Sequence, residues 1–323
     1  MISDRARALG DIAGMAVFVV VAASAMGCGG APDPQSGERL RIVATTTVVG
    51  DLVGTIAGPD AELEVLMGPG IDPHLYKASA GDVGRMSSAQ IIFYNGLHLE
   101  GKMAEVLEGI DRRGVRTVAV AECVPTERLL PLEGFAGLYD PHVWFDVGLW
   151  SETVGCVAGE LAALDPPHAE GYRTRAAKLF QELAALDEEV GRRVSVLPEE
   201  RRVLVTAHDA FSYFGRAYGF EVRGLLGVST AAEAGTADVQ SLAGFIVERG
   251  IPAIFLETSV PPRFVQALQE AVTARGFAIT IGGKLYSDSL GDPGTPAGTY
   301  VGTVRANVEV LLRALGGGGK GSE

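Results

Sequence analysis

The chain has 323 residues, 47% of them hydrophobic and 21% charged, with a formal net charge of −13. That composition belongs to a globular protein and excludes a disordered one, and the length is comfortable for two domains. The acid surplus argues against a nucleic-acid partner, which needs clustered Lys and Arg, and it suits a protein that handles cations.

The N-terminus carries Arg5 and Arg7, then an apolar run from Ile12 to Met26. The run is too short for a membrane span and matches a secretion signal. It ends in "AMGCGG", where small residues lead into Cys28 as they do at a bacterial lipoprotein cleavage site. Residues 1–28 are therefore expected to hold a signal peptide and a lipoprotein-like cleavage site, with Cys28 as the lipidated first residue of the mature chain and ordinary cleavage nearby as the alternative. Residues 29–38, "GGAPDPQSGE", read as a flexible tether.

From there strands and helices alternate. "RLRIVATTT", "AELEVLMG", "QIIFYNG" and "RTVAVAE" read as strands. "SAGDVGRMSSA" reads as a helix capped by Ser79 with Asp82 three residues on, and "HLEGKMAEVLEGI" as a second helix. Residues 39–160 are thus expected to form an α/β lobe. Over 161–197 the pattern is helical, with Asp165-Pro166-Pro167 placed to end one helix and begin another. Leu179, Phe180, Leu183, Leu186, Val190 and Val194 recur at helical spacing, and a helix of this extent spans roughly 40 Å.

Alternation resumes over 198–317, with strands in "RRVLVTAH", "FEVRGLLGV", "IPAIFLETS" and "FAITIGGKL", and a helix whose start is marked by Pro261 and Pro262. Residues 318–323 read as a flexible tail. The expected fold class is α/β: two parallel-sheet lobes joined by one long helix. "RIVATTTVVGDL" and "RVLVTAHDAFSYF" open the lobes in similar style, a hint of repeated architecture. Cys123 and Cys156 fit either a disulfide in an exported protein or two free thiols.

Four residues share one local setting. His74 in "IDPHLY", His142 in "YDPHVWFD", His208 in "VTAHDAF" and Asp288 in "YSDSLG" each lie at a strand end or in a loop beyond one. The carboxyl ends of parallel strands line the ligand crevice of such sheets. Two of the four fall in each lobe, so they can meet in the cleft between lobes. Three imidazoles and a carboxylate form a first shell for a divalent transition ion, zinc or manganese. The repeated "DPH" adds detail: proline stiffens the approach, and Asp72 and Asp140 are placed to orient the histidines that follow them. Glu233 and Glu257 are candidates to support a ligand without touching metal, whereas His98 and His168 read as ordinary polar positions.

Taken together, "DPHLY", "NGLHLE", "DPHVWFD", "TAHDAFSYF", "LETS", "LYSDSLG" and "GTYVG" resemble the zinc/manganese class of bacterial ABC-transporter solute-binding proteins, the TroA-like family. The resemblance runs in order from about Arg41 to Leu315. It implies two α/β lobes joined by a single rigid helix, with His74, His142, His208 and Asp288 as ligands of a metal buried between them. It also implies a lipid-anchored monomer at the outer face of the membrane or in the periplasm, passing its ion to a permease driven by a cytoplasmic ATPase. Zinc-dedicated members carry a histidine-rich acidic loop before the second ligand; "ECVPTERLLPLEGFAGLYD" has no histidine. Other members have Glu in place of His208, so neither ion is singled out.

Two other functions fit parts of the pattern. A zinc hydrolase would keep an open coordination position beside three protein ligands, and the chain has no HExxH helix. A metal-binding surface adhesin would recognise its partner without the histidines.

Overall fold

The computed structural model describes residues 39–316 apart from Glu133 and Glu233. The expected signal peptide and tether, Cys28 as the expected lipidation point, the expected tail and Glu233 lie outside the described residues.

In the first lobe, strands β1 (Leu40–Ala44), β2 (Ala61–Val65), β3 (Ile91–Tyr94) and β4 (Arg116–Ala119) form one sheet in the order β2-β1-β3-β4. All three pairings are parallel. Such pairing needs crossovers, and α1 (Thr47–Ala57), α2 (Ala80–Ser88) and α3 (Ala104–Asp111) supply them. The chain leaves β1 toward one neighbour and returns to the other, which creates the switch point where open α/β sheets bind ligands. Sequence-level caps explain where helices begin. Thr46 Oγ1 accepts the Val49 N–H, and Ser79 and Asp82 exchange bonds in a capping box.

The second lobe repeats the plan. Strands β5 (Val203–His208) and β6 (Glu221–Leu226) pair in parallel, as do β7 (Ala253–Glu257) and β8 (Thr280–Leu285), and β5 lies beside β7. The order around β5 therefore mirrors that around β1. Helices α7 (Ser212–Tyr218), α8 (Thr236–Arg249) and α9 (Arg263–Thr273) connect the strands, and α10 (Tyr300–Leu315) closes the lobe.

Between the lobes come α4 (Val147–Ser151), α5 (Thr153–Leu164) and α6 (Ala169–Val194). The 26-residue α6 is about 39 Å long. The break before it falls at Asp165, where Pro166 and Pro167 cannot continue the backbone ladder of α5. Leu179, Leu183, Leu186, Val190 and Val194 are buried, but Phe180 is 50% exposed. One step along a helix turns a side chain by about 100°, so Phe180 leaves the stripe that Leu179 occupies. Helix α6 packs on α1, α4 and α5 of the first half and on α7 and α10 of the second. One apolar core runs from Leu40 through Leu186 to Phe255 and Leu311, and it ties both lobes to the same rod.

The segment "NGLHLE" departs from the expected helix start. Gly96, Leu97 and His98 all take positive φ (84°, 51° and 65°), and α3 begins only at Ala104. Buried Glu100 holds this turn by accepting the Asn95 and Gly96 N–H groups and the Thr45 hydroxyl.

Cys123 and Cys156 form a disulfide across 33 residues, between a 3₁₀ turn after β4 and α5. Closing a loop of that size removes about 3–4 kcal/mol of unfolded-state freedom. The paired Cys123→Ser, Cys156→Ser variant is expected to lose about that much stability in urea titrations. Equal midpoints and slopes would show that the bond contributes nothing.

Candidate metal centre

Each strand-end loop delivers one or two groups to a single point. His208 is the last residue of β5 and Glu257 the last of β7. The two Glu257 oxygens grip His208 twice: Oε1 accepts the backbone N–H at 2.8 Å and Oε2 accepts Nδ1–H at 2.6 Å. Asp140 does the same for His142 with a single oxygen, Oδ1, at 2.9 Å to the backbone and 2.7 Å to Nδ1. Both rings therefore carry their proton on Nδ1 and turn Nε2 inward, the arrangement that raises imidazole basicity toward a metal. Trp144 packs edge-on to His142 with ring centroids 5.2 Å apart.

His74 is built differently. Asp72 Oδ1 accepts the His74 backbone N–H at 2.9 Å, and Asp72 Oδ2 accepts the Thr230 hydroxyl at 2.6 Å. Asp72 thus shapes the main chain of its loop and ties it to the second lobe, whereas Asp140 works on the ring. The two "DPH" motifs are alike in sequence but not in contact, because the ring of His74 turns away from its own aspartate toward His142. Of the four residues, His74 lines the cleft of about 910 Å³ between the lobes, together with Leu97, Leu130, Phe135 and Val228.

Asp288 sits in the turn after β8. Its Oδ2 accepts the Ser259 hydroxyl at 2.7 Å, and Ser259 in turn meets Ser287 at 2.7 Å. The turn is pinned to the first lobe by the Gly70 N–H on Ser289 Oγ (2.8 Å) and by the Trp144 indole N–H on the Ser287 carbonyl (3.2 Å). Ser259, Ser287 and Thr230 were not among the sequence candidates. Their hydroxyls gave no pattern that spacing alone could pick out.

The four side chains converge. His74 Nε2 and His142 Nε2 are 3.3 Å apart, and Asp288 Oδ1 is 3.4 Å from both His142 Nε2 and His208 Nε2. All four donor atoms lie within 4.8 Å of one another, and all four residues are buried. A tetrahedron with metal–nitrogen arms of about 2.0–2.1 Å has edges of about 3.3–3.4 Å. Asp288 Oδ1 and His208 Nε2 are buried without a hydrogen-bond partner. Orphaned polar atoms at such depth are costly, and a shared cation satisfies both.

The electrostatics follow from this geometry. Burial opposes charging His142, but Asp140 and Asp288 outweigh it and push its pKa up to about 9. His208 is raised as well: burial works against it, and Glu257 and Asp288 prevail. Burial would raise Asp288, yet the two imidazoles hold it well below the usual carboxylate range. For His74 burial wins over the attraction of Asp288, and its pKa falls to about 3.

The other two histidines stay apart from this point. His98 is exposed on the left-handed turn, and His168 pairs with Asp165 at 2.8 Å on the 3₁₀ turn before α6.

A family model described as zinc-uptake complex component A, periplasmic (ZnuA), matches residues 42–314. The chain belongs to the ZnuA family. Among ZnuA-family relatives, the zinc-binding protein TroA of Treponema pallidum is 50% identical over 287 residues, 88% of this chain and 92% of the relative. The manganese-binding lipoprotein MntA of Bacillus subtilis is 41% identical over 302 residues, 93% and 98% of the two chains. The solved structure of the periplasmic zinc-binding protein TroA from Treponema pallidum superposes with a TM-score of 0.83 at 51% identity, covering 86% of this chain and 99% of that one. The expected two-lobed α/β architecture with its connecting helix is the architecture of this family.

Proposed function

We propose that this chain captures a divalent zinc or manganese ion outside the cytoplasmic membrane and delivers it to the permease of an ATP-driven importer. The ion is cargo. His74 and His142 of the first lobe and His208 and Asp288 of the second are its ligands, with Asp140 and Glu257 orienting two of the imidazoles. The single observation that carries the reading is the pair of orphaned atoms, Asp288 Oδ1 and His208 Nε2, facing each other at 3.4 Å in a buried set of four donors that lie within 4.8 Å of one another. The names of the ZnuA-family relatives, zinc-binding in one case and manganese-binding in the other, support the same cargo.

Binding is favoured over hydrolysis because four protein donors fill a tetrahedron and leave no vertex for an activated water. The working organisation is a signal peptide over 1–28 with lipid on Cys28, a tether over 29–38, lobes over 39–160 and 198–317, and the linking segment 161–197 between them. In this organisation the protein acts as a monomer held at the membrane surface beside its permease. Zinc has the higher intrinsic affinity for such a donor set, so supply and the permease decide between zinc and manganese.

Metal analysis of the purified protein tests the reading. One equivalent of divalent ion per chain is expected. Adding zinc to the stripped protein at about a hundredfold excess over Kd should contribute about 2.7 kcal/mol and raise Tm by about 4–5 °C. A stripped protein whose melting is indifferent to both ions would refute the proposal.

A further inference from the structure

The main chain of Asp140-Pro141-His142 is held from both lobes at once. The Pro141 carbonyl accepts a bond from Asn95 Nδ2 of the first lobe at 3.0 Å. One residue earlier, the Asp140 carbonyl accepts the hydroxyl of Tyr213 at 3.0 Å. Tyr213 lies on α7 of the second lobe, five residues beyond His208, and its side chain is fully buried. The same hydroxyl accepts the Leu130 N–H at 3.0 Å. Asp140 also bonds back to Leu130 through its own N–H, and Pro131 and Tyr139 form a β-bridge. Tyr213 therefore closes the open end of the hairpin-like 130–140 segment that walls the cleft. Arg216, one turn further along α7, lies over the Tyr213 ring at 4.9 Å and donates to the Arg128 carbonyl.

We propose that Tyr213 is the positioning residue through which the second lobe sets the geometry of the Asp140–His142 pair. This inference rests on reading the four clustered residues as metal ligands. One oxygen of Asp140, Oδ1, fixes both the backbone and the ring of His142. A shift of the Asp140 carbonyl turns the peptide that carries this carboxylate, and His142 Nε2 moves with it. His208 ends β5 and Tyr213 is the second residue of α7, with four residues between them, so a movement of the second lobe displaces both. The hydroxyl carries that displacement to His142. Ligands from opposite lobes thus keep their mutual distance while the lobes shift, and they separate when this contact fails.

Tyr213→Phe keeps the ring and removes the coupling. Tyr218→Phe is the control, since Tyr218 stands on the same helix and its hydroxyl donates to Asp187 on α6 at 2.6 Å. Two readouts are needed: zinc release into a chromogenic chelator by stopped flow, and the visible absorption of the cobalt(II) form, whose intensity reports tetrahedral geometry. Tyr213→Phe removes both bonds of the hydroxyl, to the Asp140 carbonyl and from the Leu130 N–H. Loss of the first, the one that reaches the Asp140–His142 pair, corresponds to about a tenfold change, so the variant is expected to release zinc about tenfold faster and to weaken the cobalt bands. Tyr218→Phe is expected to match the wild type in both, even where its metal-free Tm falls equally. Wild-type release and spectrum in Tyr213→Phe, or the same change in Tyr218→Phe, would overturn the coupling while leaving the metal reading intact. A wild type that takes up neither ion would remove the metal reading and this inference with it.

Discussion

Replacing Asp288 with Asn is expected to weaken zinc binding about a thousandfold, or about 4 kcal/mol. Asp288 is the single carboxylate among the four clustered groups, and its free oxygen stands 3.4 Å from two imidazole nitrogens. Asn has nearly the same shape and can keep the contact with Ser259, so the turn survives. What goes is a fully buried negative charge facing a divalent cation, and deleting one partner of a buried ionic cluster costs about 3–5 kcal/mol. His208→Ala is a less clean test, because it leaves Glu257 Oε2 buried without the imidazole N–H that it accepts, while only the backbone N–H on Oε1 remains. Competition titration against a chelator of known affinity measures the effect. An unchanged affinity in Asp288→Asn would mean that the metal lies elsewhere.

The second large effect is acid release. In the metal-free site the pKa of His142 is pushed up to about 9 and that of His208 is raised too, while His74 falls to about 3. At pH 7 His142 and His208 therefore hold extra protons and His74 does not. A metal needs the lone pairs, so it must displace both protons. A site that loses protons on binding gains apparent affinity as pH rises, up to the raised pKa of the metal-free form, and loses it as pH falls. Two protons correspond to about a hundredfold per pH unit, hence about ten-thousandfold between pH 7.5 and pH 5.5. Calorimetry at pH 7 in two buffers of different ionisation enthalpy counts the protons directly. A count near zero would contradict the charge arrangement described for the site.

Much of this was legible before any fold was known. The four donor residues stood out because each follows a strand-like run, and a parallel sheet gathers the ends of its strands at one edge. Ser79, Asp82 and the Asp165-Pro166-Pro167 break were readable because caps and proline act within a few residues. The left-handed "NGLHLE" turn was not. Its conformation depends on Glu100 reaching back to Thr45, 55 residues away in the chain.

The division is clearest in the two "DPH" motifs. Sequence determined that Asp72 and Asp140 stand two residues before a histidine, and that proline stiffens each approach. It determined the strand–helix alternation, the long α6 stripe and the donor chemistry, because each of these rests on local periodicity or on residue type. Only the tertiary structure decided that Asp140 holds a ring while Asp72 holds a backbone, that Glu257 is the partner of His208 across 49 residues, and that Tyr213 reaches from one lobe into the other. It also decided that Cys123 and Cys156 are bonded. The reason is range: a hydrogen bond is made or lost within about 3 Å, and at long sequence separation only the packed sheets and the shared core around α6 bring two groups that close.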